Sequence, residues 1–196
     1  MHKRMSPHGD ADHMGESENI VNNLKIKNVI FNCGSYNKME RSLIDLLKDK
    51  NINYYKCINK LNALDLNFYF LNTNDYKNEN DNSNVIYTNI NNNKFMFMGD
   101  AGVETEKDLI DKYDLNNIDV LKIGHHGSRT SSSKEFIDEI NPRYSIISVG
   151  KNNRYGHPND NVLENLETSK VYRTDQDGSV MFKIKNNKFE IKTCAP

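Results

Sequence analysis

Residues 8–13 read HGDADH, which places four potential metal ligands, His8, Asp10, Asp12 and His13, within six positions. Alternate side chains of an extended segment point the same way, so His8, Asp10 and Asp12 can converge on one point. His13 then turns off the start of a following helix and completes the set. A solvated charged loop that happens to hold two histidines is the plainer reading. Imidazoles and carboxylates packed this closely are nevertheless the donor set that a metal centre requires.

Working outward, the same residue types recur where apolar runs end. Met98-Gly99-Asp100 closes the run Lys94–Met98, and a carboxylate at the tip of a buried strand is well placed for a site at a sheet edge. Asp100 could instead cap the helix that begins near Glu104. Lys122 through Ser128 reads KIGHHGS; glycines on both sides of the paired histidines let the backbone bend close to a ligand. Behind them Ser128, Arg129, Thr130 and Ser131 to Ser133 lead into a helix. Free N–H groups, hydroxyls and an arginine there suit a phosphate oxyanion, although a serine-rich capping loop would look the same. Gly150 to Pro158 follows a further apolar run and could bring Arg154 and His157 to that edge.

The frame around these loops alternates strands and helices. Strands are expected at Val29–Phe31, Tyr54–Ile58, Leu66–Leu71, Val120–Ile123, Tyr144–Val149 and Val171–Arg173. Val85–Ile90 and Lys94–Met98, joined through Asn91 to Asn93, form a hairpin. Helices are expected at Met39–Lys50, with Leu43, Leu46 and Leu47 at helical spacing, at Glu104–Tyr113 and at Asn161–Leu166. Ser132 and Glu135 form a capping box for a helix that stops before Pro142. Asp177-Gly178 and Asn186-Asn187 punctuate a closing meander. Strands interleaved with helices, without repeat or linker, mean one mixed α/β layer structure.

The 196 residues (22.7 kDa) fit one domain, 1–196. With 26 Lys and Arg against 27 Asp and Glu the net charge is −1, which argues against a stand-alone binder of nucleic acid or anionic membrane. Hydrophobic content is only 36% and mean hydropathy −0.79. Much of that deficit is asparagine, 31 of 196 residues, read as polar surface positions and turns. No run approaches the ~20 apolar residues of a membrane span, and Met1 to Met5 lacks the apolar core of a signal peptide. Cys33, Cys57 and Cys194 are odd in number and far apart, so ordinary thiols are expected and not a disulfide framework or a thiolate zinc site.

Taken together these residues resemble the metallo-β-lactamase fold, specifically the C-terminal domain of ComEC-type competence proteins. The matching pieces are His8 to Gly15, Asn80 to Ser83, Met98 to Asp100, Leu121 to Ser128, Ser148 to Gly150, Asn153 to Pro158, and Tyr172 to Asp175 with Gly178. The superfamily motif is H-x-H-x-D-H; Asp10 stands where a second histidine is commoner, as in the ComEC-like branch. The resemblance implies an αββα sandwich and a two-metal phosphodiester hydrolase, a nuclease linked to DNA uptake. His8, Asp10, Asp12, His13 and Asp100 would be metal ligands, with Asp100 bridging, together with one of His125 and His126, taken as His126, the other being left as proton donor. Asp12, His125 and His157 would serve catalysis, and Ser128 and Arg129 would hold substrate. An oxygen-rich shell leaves the two divalent ions open between Zn and Mn.

The implied mechanism is attack by a metal-activated water in line with phosphorus. Ser128, Arg129 and the following helix N-terminus would steady the non-bridging oxygens, and a histidine would protonate the leaving alkoxide. Only Met1 to Pro7 precede His8, too short and polar for the strands that feed this loop in the resembled fold. The first strands of the sandwich are therefore expected to be missing. Competing expectations are an inactive fragment or DNA-contact module of the same fold, and a hydrolase of another ester such as a phosphocholine ester or lactone. Partners would be DNA or another phosphodiester, with a membrane channel domain in a longer homologous protein. A free-standing chain would be cytoplasmic; one acting as the resembled domains do would sit at the outer face of the membrane.

Overall fold

The computed structural model describes residues 2–5, 11–185 and 188–195. Two sheets carry the fold. β1 (His2–Met5), β2 (Ile26–Phe31) and β3 (Asn53–Lys56) form a three-stranded parallel sheet in that order. α1 (Ala11–Met14) and α2 (Ser17–Asn23) connect β1 to β2, and α3 (Lys38–Asp49) connects β2 to β3. A local signal starts α3: the Asn37 side chain accepts from the Glu40 N–H at 3.0 Å, and Glu40 accepts from the Asn37 N–H at 2.9 Å. Met14, Val21, Leu43, Ile44 and Leu47 bury themselves against Val29 and Phe31 on one face of β2. Ile30 faces the other way, lining a cavity with Ile58 and with Leu61 of the second sheet.

That second sheet has seven strands, β4 (Lys60–Ala63), β5 (Leu66–Phe70), β6 (Ile86–Ile90), β7 (Asn93–Phe97), β8 (Val120–Lys122), β9 (Tyr144–Ile147) and β10 (Lys170–Arg173), adjacent in sequence order. β4 to β7 run antiparallel, whereas β7 to β10 run parallel. Parallel neighbours need crossovers, supplied by α4 (Val103–Lys112), α5 (Lys134–Ile140) and α6 (Asp160–Asn165). Leu109, Phe136, Ile137, Ile140 and Val162 pack on Met96, Leu121 and Ile147 to form the larger core. The layers thus run helix, sheet, sheet, helix, and the carboxyl ends of β7, β8 and β9 share one edge. After β10, α7 (Thr174–Asp177) leads into a hairpin of β11 (Ser179–Lys185) and β12 (Lys188–Cys194), a separate two-stranded sheet.

Several expectations need correction. Cys33 and Cys57 are joined in a disulfide, with Cα atoms 4.4 Å apart; the parallel pairing of β2 with β3 brings residues 24 apart in sequence together. The amino-terminal residues do supply a strand, since β1 pairs with β2 through backbone groups that need no apolar side chains. α1 begins at Ala11, so Asp12 and His13 are successive helical residues and the extended alternation does not run through Asp12. α5 is capped by Ser133 instead of Ser132. The carboxylate that serves this turn is Glu106 of α4, which accepts from the Ser132 and Ser133 N–H groups. Asn186 and Asn187 lie outside the described residues. Among the described residues no helix is long and apolar enough to cross a membrane.

Candidate metal centre

His13, Asp100 and His126 offer ligand atoms that all lie within 4.8 Å of one another. Asp100 Oδ2 is 3.2 Å from His13 Nε2 and 3.9 Å from His126 Nε2. Three different parts of the fold meet here. His13 comes from α1, beside the smaller sheet. Asp100 sits in the turn after β7, where its N–H donates to Ser83 Oγ at 2.9 Å. It does not cap α4, whose N-cap is Gly102. His126 follows β8, and its Nδ1 lies 2.7 Å from the Ser148 carbonyl after β9. A carbonyl only accepts, so Nδ1 carries a proton and Nε2 is the nitrogen turned toward Asp100.

The turn that presents the histidines is strained. His125 (φ 46°) and His126 (φ 54°) are both left-handed, a conformation that costs a non-glycine residue about 1–3 kcal/mol. The flanking glycines serve close approach. A Cβ on Gly124 would stand 2.7 Å from the Ala101 carbonyl, and one on Gly127 2.7 Å from Pro158 Cβ. The Gly127 contact holds the loop bearing His157 against the turn bearing His125. Asn153 pins that loop, accepting from the His157 N–H at 2.9 Å and donating to its carbonyl at 2.7 Å. The rings of His125 and His157 are 6.0 Å apart, and His126 is 6.0 Å from His13. Burial, then the imidazoles of His125 and His126, hold His157 below its ordinary value, against the opposing pull of Asp100.

Of the other site residues inferred from sequence, His8 and Asp10 lie outside the described residues, and Asp12 is placed only as a residue of α1. Ser128 is buried, with its hydroxyl 3.1 Å from Thr130 Oγ1, while Arg129 is exposed. Just ahead of α5, the N–H groups of Ser132 and of the N-cap Ser133 are committed to Glu106. Residues not singled out also shape the centre. Thr130 Oγ1 is 3.3 Å from His125 Nδ1. Lys122, its amine lowered by burial against the pull of Asp100, donates to the Ile123 carbonyl at 2.6 Å. It lines a cavity of about 360 Å³ with His13, Phe68, Ile86, Phe97 and Gly99. Lys122 opens the KIGHHGS stretch and so was within reach of the sequence; the Ser148 carbonyl, being backbone, left no trace in the residue types.

The donor set fits a divalent ion, since it joins two imidazoles to one nearly fully buried carboxylate (2% exposed). No protein-family model matches the chain. It is 33% identical over 186 residues to ComE operon protein 3 of Bacillus subtilis, an alignment covering 91% of this chain and 24% of that protein. Competence protein ComA of Neisseria gonorrhoeae is 35% identical over 122 residues, 60% of this chain and 18% of that one. Recombination protein 2 of Haemophilus influenzae is 34% identical over 116 residues, 58% and 14% respectively. The chain therefore spans a quarter or less of the length of these relatives. A crystal structure described as a Zn-dependent hydrolase of the metallo-β-lactamase superfamily from Thermotoga maritima aligns at TM-score 0.43 and 16% identity, over 76% of this chain and 81% of that one. Alignment with ComE operon protein 3 over 91% of this chain places it, as a segment of such a protein, in the ComEC family.

Proposed function

We propose that the chain is a metal-dependent phosphodiester hydrolase that cuts DNA during its uptake. The observation that carries this reading is the meeting of His13, Asp100 and His126 at the carboxyl edge of the parallel strands. His13, Asp100 and His126 would hold one ion, and His8, Asp10 and Asp12 would extend the shell to a second, with Asp100 shared. Bound there, two divalent ions of Zn or Mn supply a water acidified to near neutrality and neutralise charge on the phosphate. The protein's own groups do the rest. The Ser148 carbonyl fixes the His126 tautomer, and Ser83 fixes the turn that carries Asp100. His125, bonded at Nδ1 to Thr130 Oγ1, would protonate the leaving alkoxide through Nε2. His157, its value lowered by burial and by the imidazoles of His125 and His126, would contact the scissile phosphate as a hydrogen-bonding group. Exposed Arg129 would meet the non-bridging oxygens, and Ser128 would hold the turn beneath it. In keeping with its resemblance to the C-terminal domain of ComEC-type proteins, the segment would act beside a membrane channel domain at the outer face of the membrane.

The test is elemental mass spectrometry of the purified protein, paired with hydrolysis of bis(p-nitrophenyl) phosphate and of an oligonucleotide. One to two equivalents of metal, with both substrates cleaved, is the expected result. A folded sample that takes up no metal on reconstitution overturns the reading. One observation favours a second reading, a DNA-contact module without turnover. The N–H groups of Ser132 and Ser133, which would help to cradle a phosphate ahead of α5, are already taken by Glu106. Metal uptake without cleavage of either substrate would select it.

A further inference from the structure

The charge of this chain is not evenly spread. Residues 179–196 hold Lys183, Lys185, Lys188 and Lys192 against Glu190 alone, a charge of +3, so the remainder carries −4 of the total of −1. The pleat of β11 and β12 then sorts that segment by face. Val180, Phe182, Ile184, Phe189 and Ile191 are half-buried and turn inward, while Met181, Lys183, Lys185, Lys188, Glu190 and Lys192 are exposed on the outer face. The inner face is anchored by aromatic contacts. Phe182 and Phe189 lie 5.7 and 5.6 Å from the Tyr144 ring, Phe189 lies 5.9 Å from Phe95, and Phe182 lies 6.2 Å from Tyr172. The ribbon is therefore a fixed platform on the seven-stranded sheet and not a loose tail.

On its outer face Glu190 serves two lysines. It pairs with Lys192 at 3.1 Å and stands directly opposite Lys183. Lys185 and Lys188 stand directly opposite each other at the tip. Like charges in register destabilise a β-pair, and this one has no second carboxylate in the segment to relieve it. A line of anions laid along the ribbon would relieve it.

We infer that the outer face of the β11–β12 ribbon binds the phosphate backbone of a nucleic acid strand whose scissile bond lies at the metal centre. The inference rests on the reading of the chain as a hydrolase of DNA and adds the surface that would hold the strand away from the metal centre. Tyr144, under the ribbon, opens β9, and Ser148, which holds His126, follows its end. Four residues of strand are ~13 Å, beyond a small diester but within a few nucleotides of a chain. An anionic lipid surface is the poorer fit. Met181 is the one large apolar side chain on the outer face, and no aromatic residue stands there to enter a bilayer.

The test compares wild-type protein with Lys185→Gln/Lys188→Gln and, as a control at the C-terminal end of α3, Lys48→Gln/Lys50→Gln. Binding of a single-stranded DNA oligonucleotide of about 20 nucleotides is followed by anisotropy between roughly 50 and 200 mM salt. Hydrolysis of bis(p-nitrophenyl) phosphate reports on the metal centre, and thermal melts report on folding. The ribbon variant should bind on the order of tenfold more weakly. Its slope of log K against log salt should be shallower by ~1.4, because each lysine that no longer neutralises a phosphate removes ~0.7. Its small-diester turnover and melting should be unchanged, and the control should match wild type. Should the ribbon variant melt early, Lys183→Gln/Lys192→Gln away from the turn reads the same slope. Unchanged affinity and slope, equal loss in the control, or no oligonucleotide binding at low salt overturns the inference. So does lysine-dependent capture of phosphatidylglycerol vesicles with DNA ignored. Oligonucleotide binding through the lysines without hydrolysis of either substrate would sink the enzyme reading and leave the ribbon standing.

Discussion

Asp100 and His126 stand on turns locked into the seven-stranded sheet, whereas His13 stands on a four-residue helix beside the three-stranded one. The first pair is held several times over. Ser83 takes the Asp100 N–H, the Gly99 carbonyl takes the His125 N–H at 3.1 Å, and Ser148 takes His126. α1 is too short to be stable by its own hydrogen bonds; it is kept by Met14, buried with Leu43 and Leu47 of α3. The centre is thus a joint between two sheets, prebuilt on one side and attached by packing on the other. A ligand that spans such a joint stabilises the weaker side most.

The largest effect belongs to the residue common to both sides. Asp100→Ala should reduce metal affinity by more than about 100-fold, since even outer-shell changes cost roughly 10–100-fold. Elemental analysis should then find no retained metal, and phosphodiester hydrolysis should fall to background; full activity would dissolve the assignment. Next, removing metal with a chelator should raise hydrogen exchange in residues 11–23 more than in 98–103 or 123–128. Equal protection changes on both sides would erase the distinction between them.

Smaller effects test the prebuilt side alone. Gly127→Ala would set a Cβ 2.7 Å from Pro158 Cβ at a φ of 79° and should cost about 1–3 kcal/mol, read by denaturant melts. Subtler still is Glu106. Burial raises its carboxyl above the ordinary value, against the N–H groups of Ser133 and Ser132. A carboxyl raised in the folded state favours folding fully below the unfolded value, and that contribution is lost as pH rises through the folded value. Glu106→Gln should therefore remove one decline from the stability profile above pH 4.5, seen as the wild-type minus variant difference. A difference constant from pH 4 to 8 would contradict it.

Legibility in the sequence followed the range of the interactions. α3 and the β6–β7 hairpin were readable because Leu43 and Leu47, and the Asn91–Asn93 turn, signal locally. α2 escaped because Val21 is its one buried apolar side chain. The loops bearing Asp100 and His126 could be picked out from residue types at strand ends, yet their support could not. The Ser148 carbonyl lies 22 residues from His126, and Glu106 lies 26 from Ser132. Only the sheet order brings such partners together. β1 was missed for a related reason, since pairing along β2 asks little of side-chain polarity.

The bond between Cys33 and Cys57 ties the less prebuilt side of the joint to the redox poise of its surroundings. It closes a loop of 24 residues, worth ~3.5 kcal/mol as restricted freedom of the unfolded chain. That loop contains all of α3, the helix against which Met14 and hence the His13 turn is packed. Reduction would slacken this support while leaving the settings of Asp100 and His126 intact. The chain's grip on metal would then track whether it matures among thiols or among oxidants.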